Sequence, residues 1–164
     1  MVKNSGKVEP GRPLDRIDRR ILRILEQDGR ISNVDLARRV HLSPTPCLER
    51  VRRLEREGYI LGYHARLNPE LLDAGLMLLV EVSLRNTADA FKSFRAAILE
   101  IPEVLECHLV AGNFDYLLKL RVPDIQAYRL TLSERLTTIP AVAQVHSYVV
   151  MESVKEAHGL PRVE

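Results

Sequence analysis

A chain of 164 residues has room for one ordinary domain or two small ones, and its 46% hydrophobic and 28% charged residues exclude disorder as the main state. The net charge of +2 hides a division: residues 1–64 carry 14 Lys+Arg against 9 Asp+Glu, whereas residues 65–164 carry 10 against 13. The first part suits a polyanionic partner and the second does not.

The longest apolar run, Leu76 to Val80, stops at Glu81, far short of the roughly 18 residues that span a bilayer. The opening MVKNSGKVEPGRP has no apolar segment of a secretory signal, so the expected location is the cytoplasm, with no membrane partner. Cys47 and Cys107 lie 60 residues apart outside any CxxC pattern and read as two reduced thiols, neither a disulfide framework nor a zinc site.

Residues 1–13, with Gly6, Gly11, Pro10, Pro13, Lys3, Lys7 and Arg12, read as a flexible basic arm. A first helix follows: Asp15 caps it, Asp18 occupies its first turn, Ile17, Ile21, Ile24 and Leu25 form its apolar stripe, and Gly29 ends it. A second opens at Ser32, with Asp35 three residues on, and runs only to His41. A third opens with Ser43 as cap and Pro44 in the first helical position, and closes on Gly58. About three residues separate the second and third helices, which forces a sharp angle and predicts a helix-turn-helix over 14–58.

Winding the third helix at 100° per residue turns Cys47, Leu48, Val51 and Leu54 to the core. Thr45, Glu49, Arg53 and Arg56 fall opposite with Pro46 nearby, and Arg50 and Arg52 lie on the flanks. This layout suits a recognition helix whose outward face meets base edges while flanking arginines reach phosphates of double-stranded DNA. The competing reading is a solvated, salt-bridge-laced helix; the capped three-helix context and the basic first part favour DNA.

Residues 59–74 read as a linking strand and hinge, with Tyr59, Leu61, Tyr63, Ala65 and Leu67 on one side, a lone apolar strand whose simplest partner is its own copy in a second subunit. Beyond it, IPEV at 101–104 recurs as IPAV at 139–142, and His108 and His146 keep the same offset of 38. Each IPxV follows a strand (76–84, 116–122) and a helix (Phe91, Phe94, Ile98; then Ile125, Tyr128, Leu132, Leu136 behind the cap Asp124) and precedes another strand. The result is βαββαβ, a ferredoxin-like domain over 75–154 within an α+β protein, followed by a tail at 155–164. Its helices cover one face of the sheet, and the other face suggests oligomerisation.

GxGxxG, GxxxxGK, GxSxG and HExxH are all absent, and the five histidines never pair at ligand spacing. The chain is therefore expected not to be an enzyme and to hold neither metal nor cofactor. The hairpin Gly112, Asn113, Phe114 and Asp115 could hold a small zwitterion, its carboxylate meeting an ammonium group; from residue types alone a plain tight turn is the stronger reading.

LDRIDRRIL, GRISNVDLARRV, LSPTPCLERVRRLEREGYI, GYHARLNP, ECHLVAGNFDYLLK and YVVME, in this order, closely resemble the Lrp/AsnC family of bacterial transcription regulators across about residues 14–156. The resemblance implies an N-terminal helix-turn-helix and a C-terminal ferredoxin-like module that binds amino acids and assembles homodimers into octamers or larger discs. It maps DNA contacts onto Ser43, Thr45, Pro46, Arg50, Arg52 and Arg53. It maps the effector response onto Leu109, Gly112 to Asp115, Tyr148, Val149 and Val150, with Leu78 a weaker match, and thereby promotes the hairpin from turn to site. Two positions depart from the family pattern: His41 stands where glycine ends the second helix, and Asn113 where an acidic residue is expected. Leucine leads as effector, with alanine, another aliphatic amino acid or methionine as alternatives. The rival readings are an effector-independent, nucleoid-organising DNA binder and an enzyme built on an amino-acid-binding ferredoxin-like module, the latter without any acid/base constellation.

Overall fold

The computed structural model describes residues 12–156, so most of the expected basic arm and tail lie outside the described residues. The chain forms two compact units: it passes from the first to the second between Arg66 and Leu67, within the segment expected to link them, and Glu156 belongs again to the first.

The first unit is three helices: α1 (Arg16–Gln27), α2 (Asn33–Val40) and α3 (Pro44–Arg56). Asp15 caps α1 through a full capping box, its carboxylate accepting from the Asp18 N–H while Asp18 accepts from the Asp15 N–H. Ser32 caps α2 by accepting from the Asp35 N–H. His41 ends α2 in the left-handed conformation (φ 59°, ψ 44°), which glycine adopts most readily and histidine tolerates better than most residues. Ile21, Leu36, Ala37, Val40, Cys47 and Leu54 form the core.

Ser43 stands at the N-cap of α3, but its hydroxyl makes no cap hydrogen bond. The N–H that a cap usually engages three residues on belongs here to Pro46, which has none. Instead the Asn33 side-chain amide donates to the Pro44 carbonyl at 2.8 Å and ties the start of α2 to the start of α3.

Residues 60–68 form no helix and no strand. The expected linking strand is therefore absent from the single chain, because a strand exists only through a neighbour's hydrogen bonds and this chain supplies none. Leu61 (94% exposed), Tyr59 and Tyr63 are left facing solvent.

The second unit follows the predicted order: β1 (Leu76–Leu84), α4 (Ala90–Ile98), β2 (Val104–Leu109), β3 (Tyr116–Val122), α5 (Ile125–Thr131) with a π turn at Leu132–Leu136, and β4 (Val142–Val149). A short 3-10 turn at Pro69–Leu72 precedes it. The sheet is antiparallel in the order β2-β3-β1-β4, so the two repeats supply one central and one edge strand each. Each IPxV is a β-turn with proline at its second position: Val104 N–H donates to the Ile101 carbonyl at 3.1 Å, and Val142 N–H to Ile139 at 2.9 Å.

Leu78, Val80 and Val82 of β1 and Tyr116, Leu118, Leu120 and Val122 of β3 alternate onto one face and bury Phe94, Ile98, Tyr128 and Leu136 against it. The alternate residues Leu79, Glu81, Lys119, His108, His146 and Tyr148 share the open face. Cys47 and Cys107 are free thiols whose pKa burial pushes up.

Candidate nucleic-acid interface and effector site

The outward face of α3 consists of Thr45, Leu48, Glu49, Arg52, Glu55 and Arg56, with Ser43 exposed at its start and Pro46 half-buried. Two expectations from helical winding are corrected. Leu48, expected in the core, is 37% exposed, whereas Val51 is half-buried against the core. Arg53, expected to point outward, keeps only 15% of its side chain exposed and turns toward α1.

The cause is Asp18, a carboxylate with no exposure at all in the middle of the α1 stripe. Arg53 Nη2 lies 2.6 Å from Asp18 Oδ2, and Arg50 Nη1 donates to Asp18 Oδ1 at 2.8 Å and to Asp15 Oδ2 at 2.5 Å. A buried carboxylate must be paired, and an arginine fork satisfies it at low cost in geometry. The Asp18 N–H, and then Arg50, hold the Asp15 carboxyl down at about 2. In this arrangement Arg50 and Arg53 fix the direction of α3, and Arg52 and Arg56 carry its free positive charge. The signal was present in the sequence: Leu14, Asp18, Ile21 and Leu25 share one helical face, so a charge there demands a partner.

The residues assigned to the effector do not converge within one chain. Leu109 and the Gly112–Asp115 loop cluster at the end of β1 marked by Val82 and Leu84. Asp115 donates its N–H to the Val82 carbonyl at 3.0 Å, accepts from Val110 N–H at 2.9 Å, and takes the Leu84 N–H onto Oδ2 at 2.7 Å. Its carboxylate thus has a structural duty that residue types did not reveal. Neither Gly112 nor Asn113 has positive φ, so this is not the tight glycine-dependent hairpin expected from Gly-Asn, and a Cβ on Gly112 would meet open space.

Tyr148, Val149 and Val150 run from near the middle of the same strand, opposite Leu79, to its other end at Met77. Tyr148 pairs with Leu79 and donates to Glu81 Oε2 at 3.2 Å on the open face, and Val150 N–H donates to the Met77 carbonyl at 3.0 Å. From Met77 to Val82 is five residues of strand, about 17 Å. Leu78 is wholly buried under the helices, so its placement in a ligand contact is corrected: its side chain faces the core.

A family model described as an Lrp/AsnC ligand binding domain matches residues 77–160, and one described as a winged helix-turn-helix DNA-binding domain matches residues 14–60. The chain is 58% identical to the leucine-responsive regulatory protein of Escherichia coli K12, and 59% identical to that of Salmonella typhimurium, in each case over 95% of this chain and 96% of the relative. It belongs to the Lrp/AsnC family of transcription regulators. Among solved structures, a transcriptional regulator of Neisseria meningitidis in complex with L-Met superposes with a TM-score of 0.88 at 38% identity, over 91% of this chain and 97% of that one. An AsnC-family regulator of Agrobacterium tumefaciens does so with 0.84 at 36%, over 90% and 97%.

Membership makes the chain a DNA-binding transcription regulator with its helix-turn-helix in the first unit and a ligand-binding domain in the second. Among the described residues no helix is long and apolar enough to cross a membrane, and no group of three or more His, Cys, Asp or Glu is placed to hold a metal ion.

Proposed function

We propose that this regulator reads operator DNA with Ser43, Thr45, Glu49, Arg52 and Arg56, flanked by Pro46, while Arg50 and Arg53 hold the helix that presents them. It senses leucine, or else alanine or methionine, at a site completed only when two copies meet, and it works in the cytoplasm on the nucleoid without cofactor or catalysis. The observation that carries this reading is the division of the effector residues between opposite ends of β1. A ligand of amino-acid size cannot bridge the roughly 17 Å of strand from the Asp115 loop to Val150, so the Asp115 loop of one copy and the Tyr148–Val150 segment of another together make one pocket. Homodimers joined through the extended segment at Tyr59, Leu61 and Tyr63, and assembling further into octamers or larger, supply those meetings. An amino acid bound at such a junction shifts assembly and DNA affinity together, by binding one assembly state better than the other.

The test is calorimetric titration of the full chain with leucine, alanine and methionine, followed by sedimentation with and without the one that binds. Saturable binding with a change in assembled mass is expected. Binding by a protein that stays monomeric throughout refutes the shared site, and no binding by any of the three moves the reading to an effector-independent architectural DNA binder.

A second measurement separates the arginines. Arg52→Ala is expected to weaken operator binding by about 1–3 kcal/mol with the fold's stability unchanged. Arg53→Ala is expected to lower the melting temperature of the first unit, because it strips a partner from buried Asp18. The reverse pattern would return Arg53 to the base-reading face.

A further inference from the structure

We propose that α1 carries a second DNA-contacting surface, a stripe of Arg16, Arg20 and Arg23 that grips phosphates beyond those reached by α3. The inference rests on the DNA-binding reading above and adds to it a surface outside the recognition helix. These three arginines are exposed and, at 100° per residue, fall within an arc of about 60° opposite the buried Asp18 and Ile21. They span eight residues, seven rises or about 10 Å of helix, which matches a run of about three successive phosphates on one strand.

Three features distinguish the stripe from an ordinary solvated face. Solvated helices mix signs at i, i+4, whereas Arg16 and Arg20 set like charges at that spacing, and Arg16 adds a positive charge in the first turn, where the helix dipole disfavours it. Among the described residues Arg16, Arg20 and Arg23 have no carboxylate within ion-pair distance, in contrast to Arg50, which pairs with Asp15 and Asp18, and Arg53, which pairs with Asp18 and Glu57. Finally, residues 12–64 contain 12 arginines and no lysine, although lysine serves equally well for solubility. The planar guanidinium fork earns its place where phosphate oxygens are bound in pairs.

Duplex DNA is the partner that fits. An anionic membrane would require the apolar face of α1 to be available, and that face is buried in the core of the first unit by Ile17, Ile21, Ile24 and Leu25. Once α3 occupies a groove, the same polyanion is already at high local concentration.

The test uses the full-length chain and two long duplexes, one selected by the protein from a randomised pool and one of scrambled sequence, with affinity followed against salt. The Arg16→Ala/Arg20→Ala/Arg23→Ala variant is expected to flatten the plot of log affinity against log salt by about 2–3 for each helix engaged, on both duplexes. Its preference for the selected sequence is expected to persist, since phosphate contacts carry no sequence information. Arg20→Ala alone should remove about one unit of slope, and replacement of all three by lysine should retain it, which separates charge from any effect on folding. A slope equal to wild type in the triple variant overturns the proposal. If the wild-type protein shows no preference for the selected duplex, the operator reading fails, while the slope on scrambled DNA still decides the stripe.

Discussion

The two units orient their helices by opposite means. In the first, the direction of α3 is set by charge: Asp18, with no exposure, gathers Arg50 and Arg53 and shares the cap of α1 with Asp15. In the second, α4 and α5 are held by an apolar face that alternates residue by residue along β1 and β3, with the Phe94 ring tilted against that of Tyr116 at a centroid distance of 4.6 Å. Apolar packing tolerates a change of volume and loses stability in proportion, whereas a buried ion cluster is intolerant of losing one member. The unit that must hold a helix in register with DNA is thus the one built on the less forgiving device.

Removing the centre of the cluster gives the largest expected effect. Asp18→Ala leaves the largely buried Arg53 with only Glu57 at 3.9 Å, takes one of the two carboxylates from Arg50 and deletes half of the capping box, and is expected to destabilise the first unit by about 3–5 kcal/mol. Leu118→Ala removes a fully buried side chain from the second unit at a cost of about 2–5 kcal/mol. Amide exchange followed residue by residue assigns each loss to its unit. The contrast fails if Asp18→Ala leaves α3 amides as protected as in wild type.

How far each device was legible in the sequence follows from its periodicity. The strands at 76–84 and 116–122 and the repeat of IPxV were readable because alternation and a fixed offset are local patterns. The cluster around Asp18 was only half readable: an acid on an apolar stripe announces a partner, but helical winding positions Cα atoms, and the reach of a long arginine let Arg53 fold back from the face assigned to it. The segment at 60–68 takes no strand within a single chain, because alternation predicts a face and not the neighbour that must pair with it. The π turn at Leu132–Leu136, in which Thr137 N–H reaches back to Leu132, left no mark in the apolar spacing. The effector residues were placed by family likeness, and their separation along β1 was invisible without the register.

Asp115 sharpens the comparison inside the second unit, where a single carboxylate carries both a structural bond and the proposed ligand contact. Asp115→Ala leaves the Leu84 N–H without its acceptor and is expected to cost about 1–2 kcal/mol, read as faster exchange at Leu84. Asp115→Asn keeps an acceptor oxygen but no charge, so stability should hold while affinity for the amino acid falls about tenfold, the loss of one charge-assisted hydrogen bond. An Asp115→Asn protein that binds its effector as tightly as wild type confines this carboxylate to its structural bond.

The smallest effect is the acid dependence of the first unit. The Asp15 carboxyl is held from its usual 3.8 down to about 2, chiefly by the Asp18 N–H that it caps and then by Arg50. A carboxyl with a depressed folded-state pKa contributes its full stabilisation above 3.8 and loses it progressively as the pH falls toward 2, so acid weakens the cap. With 40% of the side chain exposed, solvent screening limits the contribution to no more than about 1 kcal/mol. Asp15→Asn retains a capping oxygen and cannot titrate, so urea unfolding of the first unit should vary less between those two pH values than in wild type. In the second unit Glu106 is likewise held below its usual value, by Lys119 and then His108, and its acid response should be untouched by the substitution. Equal flattening in both units would mean that acid acts through net charge and not through the cap, and the first unit would then owe its rigidity to Asp18 alone.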